Sequence, residues 1–156
     1  MNTNTEIELK HIQLELSHSR TQHLRHFIDQ FYCYKHGYVN KNGKAKWSDI
    51  MWNEYVSKEA AELRLTDDND KNFVTKEHIV PLKVVTSKLI EKGPGIQLDE
   101  IEKILDKYIQ FATITKEEDK KLRKEGLTSK MPKEFYDTES ESYDCLLYTS
   151  PSPRDS

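Results

Sequence analysis

Two stretches of the chain carry residues that could do chemistry. The first is Glu77-His78-Ile79-Val80-Pro81, where a carboxylate adjoins an imidazole and a proline turns the chain. An imidazole with an ordinary pKa of about 6.5 can move a proton near neutral pH, and a carboxylate supplies the hard oxygen that Mg²⁺ prefers. Phe73, Val74, Ile79 and Val80 flank the pair, which places it on a short strand or extended segment. Neighbours on a regular strand point to opposite faces, so Glu77 and His78 share a pocket only if the chain twists or bulges there. The second stretch runs from Tyr32 to Trp47, with no acid between Asp29 and Asp49. Its lysines can neutralise phosphates while its aromatic rings stack on bases, which nominates Lys35, Tyr38, Lys41, Lys44, Lys46 and Trp47 as nucleic-acid contacts. A solvated loop has the same composition. A further basic region, Lys116 to Lys133, is diluted by Glu117, Glu118, Asp119 and Glu125 and reads as a salt-bridged helix face.

Glu77 to Pro81 resembles the first motif of His-Me finger (HNH) nucleases, including the Asp-His-Ile-Val-Pro form found in CRISPR effector nucleases. The resemblance implies His78 as the catalytic general base that activates a water against phosphorus, and Glu77 as a ligand of Mg²⁺. It covers five residues. The family pattern continues with an Asn and a further His or Asn, whereas this chain has no Asn after Asn72 and no His after His78, leaving Asp99 or Glu100 to supply a second ligand. The alternative for the same residues is a structural corner, with His78 hydrogen-bonded in the core and Glu77 paired with a lysine. A wider stretch, from Thr75 to about Pro132, is similar to a group of small, uncharacterised bacterial proteins. These pair Glu-His-x-x-Pro-Leu, here Glu77 to Leu82, with Ile114 to Asp119 and with Leu127 to Pro132. That similarity implies a shared fold and brings no reaction with it.

Other constellations fail on geometry or spacing. His23-x-x-His26 and Cys33-x-x-His36 have zinc-like spacing, but on one helix His23 and His36 lie about 20 Å apart, beyond one coordination shell. Asp67-Asp68-Asn69-Asp70 lacks the glycine and terminal glutamate of a calcium loop. The five glycines form no phosphate-binding loop, dinucleotide fingerprint or nucleophile elbow. The formal net charge is −3, so any attraction to nucleic acid is local. No stretch has the roughly 20 apolar residues of a membrane span, and the expected location is the cytoplasm.

The elements that must position these residues are mainly helical. Leu9, Ile12 and Leu16, then Leu24, Phe27, Ile28 and Phe31, predict two helices or one kinked helix, with Ser19 and Gln22 as a capping pair before the second. Asn42-Gly43 predicts a turn. Trp47, Met51, Tyr55 and Leu65 predict one long helix ending near Thr66. Pro81 opens a helix that Gly93-Pro94-Gly95 closes, Asp99 with Glu102 opens the next, and Thr115 with Glu118 opens one ended by Gly126. Phe111 to Thr115 predicts a strand.

The expected fold is therefore mainly α (α+β), with five to six helices and at most a two-stranded ribbon around residues 73–80 and 111–115, in one domain over residues 1–144. Residues 145–156, Cys-Leu-Leu-Tyr-Thr-Ser-Pro-Ser-Pro-Arg-Asp-Ser, depart in composition and look like the in-frame translation of a sequencing adaptor. Without them Cys33 is the only cysteine, which suits a reducing compartment. The functional expectations are a divergent HNH-like, Mg²⁺-dependent nuclease or a nucleic-acid-associated protein. From another class comes a non-catalytic helical interaction or regulatory protein of a bacterial or mobile-element genome.

Overall fold

A computed structural model describes residues 3–66 and 74–126. The expected adaptor tail and the Asp67–Asp70 run lie outside them. Within the region expected as one domain the chain forms two compact units, residues 3–50 with 82–109, and residues 51–66 and 74–81 with 110–126.

The first unit is helical: α1 (Thr3–Ser17), α2 (Leu24–His36), α4 (Leu82–Glu91) and α5 (Leu98–Tyr108). Leu9, Ile12 and Leu16 of α1 and Leu24, Ile28 and Phe31 of α2 are buried, as their spacing predicts. The break between the helices is a turn in which Ser19 adopts φ 56° and donates its N–H to Leu16 O at 3.1 Å. Ser19 thus finishes α1. The expected Ser19–Gln22 cap is corrected to a start at Leu24, with His23 in the N-cap position and no side-chain bond. Gly37 closes α2 at φ 78°, a left-handed conformation that costs glycine little. The cap of α5 is likewise displaced from Asp99–Glu102, because Gln97 N–H bonds Glu100 Oε1 at 3.2 Å and so begins the helix two residues earlier.

The buried stripe of α1 includes Glu8, which faces His11, His26 and Gln30. Burial raises its carboxyl above the ordinary 4.5, while the charges of His11 and His26 and the hydrogen bond from Gln30 pull the other way. With the folded pKa raised, the ionised form is disfavoured in the folded state, and stability falls as pH rises from 4.5 through the raised value. Glu8→Gln keeps an acceptor for Gln30 and removes that charge. Its melting temperature is expected to exceed the parent's at pH 8 and to equal it near pH 4, and a loss at pH 8 would show that the carboxylate stabilises.

The second unit is a three-stranded sheet in the order β1 (Tyr55–Val56), β3 (Phe111–Thr115), β2 (Val74–His78). The paired β2 and β3 are the expected ribbon, and β1 adds a parallel strand to it. The long helix expected from Trp47 to Leu65 is replaced by a 3-10 turn at Trp47–Ile50, β1, and α3 (Lys58–Thr66). One local and one long-range interaction explain the break. Ser57 Oγ accepts from Ala60 N–H at 3.1 Å and starts α3 afresh, and Trp52 turns the chain at φ 71° while its N–H bonds Thr113 Oγ1 at 2.8 Å.

The strand register sorts the two faces. Val56, Ala60 and Val74 pack together on the α3 side, while Ala112, Ile114 and Leu122 pack on the side of α6 (Lys116–Lys124). The Thr115–Glu118 capping box forms as predicted, with Glu118 N–H to Thr115 Oγ1 at 3.1 Å and Thr115 N–H to Glu118 Oε1 at 3.0 Å.

Candidate functional site

Glu77 and His78 occupy the last two positions of β2, opposite Ala112 and Phe111 of β3 in an unbroken antiparallel register from Val74↔Thr115 to His78↔Phe111. No bulge intervenes, so strand parity sends the two side chains to opposite faces. Both are half-buried. The His78 ring lies 4.3 Å from the Phe111 ring at 38°, and Lys76, two residues earlier on the same face, sets its ammonium 5.3 Å from that ring. The His78 Nδ1 atom is buried. Glu77 instead shares the α6 face. There the hydrogen bond and charge of Asp119 hold the Arg123 guanidinium above its ordinary pKa, and Glu77 adds a weaker pull in the same direction.

A Mg²⁺ ion held by Glu77 would thus lie across the sheet from the His78 imidazole, and the pair does not fit a shared ion-and-base site. Among the described residues no group of three or more His, Cys, Asp or Glu is arranged to hold a metal ion. Asp99 and Glu100 belong to the first turn of α5, in the helical unit.

The basic stretch behaves differently. Residues 38–46 form a small hairpin around an antiparallel Val39↔Ala45 bridge, tied by Lys46 N–H to Tyr38 O at 2.8 Å and Asn40 N–H to Lys44 O at 2.8 Å. Asn40 builds the turn. Its Oδ1 accepts from Asn42 N–H at 2.8 Å and Lys44 N–H at 3.0 Å, and Gly43 supplies the left-handed residue at φ 78°. Lys41 and Lys44 are exposed on this braced tip. Lys46 is exposed and lies 3.3 Å from Asp49, a surface pair of the kind that contributes little and yields to competing ions. Trp47 keeps 37% of its surface exposed, and Tyr38 is half-buried beside Tyr32 and His36.

Lys35 leaves this group. It sits near the end of α2, where its ammonium bonds Asp106 at 2.6 Å and Glu102 at 3.2 Å across on α5. Partial burial pulls its pKa down, but the two carboxylates outweigh that and hold it above the ordinary value. Its charge is spent inside the helical unit. Cys33 and His36, adjacent in the zinc-like spacing, are separated by environment, the thiol being buried and the imidazole exposed.

Sequence reasoning passed over Trp52. A bulky residue at positive φ is uncommon, and here the Arg64 guanidinium covers its ring at 4.7 Å beside an open hollow of about 500 Å³. The Trp52-Asn53 pair was the available signal, since Asn favours turns. No protein family, curated protein or solved structure matches the chain.

Proposed function

We propose that the protein is a nucleic-acid-associated protein that grips the phosphate backbone with the hairpin of residues 38–46 and does not cut it. The observation that carries this reading is the exposure of Lys41 and Lys44 on a turn braced by Asn40, with Lys46 and Trp47 at its foot. A braced turn fixes where the lysine stems leave the backbone, so less backbone freedom is lost when they meet phosphates. Cleavage is left out because Glu77 and His78 face opposite sides of the sheet. A regulatory or accessory role fits binding without cutting.

The test is the salt dependence of binding to labelled mixed-sequence DNA or RNA, followed by fluorescence anisotropy. Replacing Lys41, Lys44 and Lys46 together by alanine should flatten the slope of log K against log salt by about 2 to 3, at roughly 0.7–0.9 per phosphate contact. Lys35→Ala should leave the slope as it is, because that charge already answers Asp106 and Glu102. A triple variant with the parent's slope removes the hairpin from the reading.

A further inference from the structure

We infer that the hairpin surface selects single-stranded over double-stranded nucleic acid, with Trp47 as the residue on which a base stacks; this rests on the reading of the hairpin as a phosphate grip. Trp47 follows the lysine-bearing strand directly and keeps 37% of its surface exposed. Its ring is not loose. Its centroid lies 6.3 Å from that of the His26 imidazole at 53°, and the His26 and Phe27 rings in turn meet at 66° with centroids 5.6 Å apart. The indole is thereby held against α2 and loses little rotamer freedom when a base covers it. On the opposite strand of the hairpin the Tyr38 ring stands 6.3 Å from Tyr32 at 15° and 6.5 Å from His36 at 31°, a second ring-bearing edge beside the same lysines.

A duplex presents phosphates and groove edges and keeps the flat faces of its bases stacked on one another, so an indole at the foot of the grip has nothing to cover. A single strand offers those faces, and every base has one, so such stacking tolerates any sequence. Lysines alone do not make this distinction, because they answer phosphates of either form. The Trp47 ring does.

The experiment compares a labelled oligothymidine, a blunt duplex of equal length, and the same strand carrying abasic sugars. Trp47→Ala should weaken oligothymidine binding by about 5- to 150-fold, the range for losing one stacked base, and leave duplex and abasic binding at parent affinity. Because the chain has two tryptophans, quenching is read in Trp52→Phe, where Trp47 is the only indole. Oligothymidine should quench it and the abasic strand should not. If Trp52→Phe does not fold, the parent minus Trp47→Ala difference reports the same quenching. Equal loss on all three ligands, or no loss and no quenching, overturns single-strand selection while the lysine grip stands. Absence of binding to any of the three by the parent overturns the grip itself.

Discussion

Glu118→Ala should lower the stability of the sheet unit by about 2–4 kcal/mol, because one buried carboxylate oxygen serves two donors. Glu118 is 7% exposed, and its Oε1 accepts from Ser57 Oγ at 2.6 Å and from Thr115 N–H at 3.0 Å. Ser57 Oγ also accepts from Ala60 N–H, so the same oxygen joins the start of α3 to the start of α6. Removing it leaves a buried hydroxyl and a partly buried amide without their acceptor, and two helix starts loosen together. Glu118→Gln is the control: its amide oxygen can still accept both bonds, so the loss should be about 1 kcal/mol, the charge-assisted part alone. The counterpart on α5 is Glu100, whose bond from Gln97 N–H is exposed, and changing it to alanine should cost only about 0.5 kcal/mol, since water replaces it there. Urea midpoints followed by circular dichroism give the three values. An alanine variant no worse than the glutamine variant would show that the Ser57–Glu118 bond contributes nothing.

These bonds also mark how far the fold was legible. Thr115 and Glu118 announce their helix start in sequence, and the structure forms that box. Ser19–Gln22 and Asp99–Glu102 carry similar letters and form none, because the choice among neighbouring caps is settled by where the chain enters the helix, which Ser19 at φ 56° and Gln97 decide. Helices α1 and α2 showed through their apolar periodicity, and α4, α5 and α6 through the residues that open or close them. Strand β1 did not, because two residues cannot display alternation, and Trp47, Met51 and Tyr55 happen to fall at helical spacing. The fate of Lys35 was hidden for another reason. Its partners Glu102 and Asp106 lie 67 and 71 residues further along, so the acid-free stretch around it in sequence is not acid-free in space. The hairpin that presents Lys41 and Lys44 was legible through Asn42-Gly43. The arrangement of Glu77 and His78 turned on one question, whether the strand bulges, and the register shows that it does not.

The role of His78 is then open to a direct energetic test against Phe111. Phe111 is 2% exposed on β3, the strand hydrogen-bonded on both sides, so Phe111→Ala should cost about 3–5 kcal/mol, the usual range for a fully buried phenyl ring. His78 is half-buried and offers less area, and His78→Ala should cost about 1 kcal/mol. The informative quantity is the double variant. If the 4.3 Å ring contact is what holds His78, the two losses are not independent, and the double variant should fall short of their sum by about 0.5–1.5 kcal/mol. Should Phe111→Ala fail to fold, Phe111→Leu removes the ring while keeping most of the volume, and the same cycle can be closed with it. Full additivity would mean that the imidazole draws nothing from Phe111, and a His78→Ala protein as stable as the parent would mean that its position is kept for something other than packing. Strong coupling places His78 in the sheet's own structure, as the residue that covers the edge of Phe111 where β2 ends and Ile79 N–H turns to bond Gln110 O at 2.8 Å.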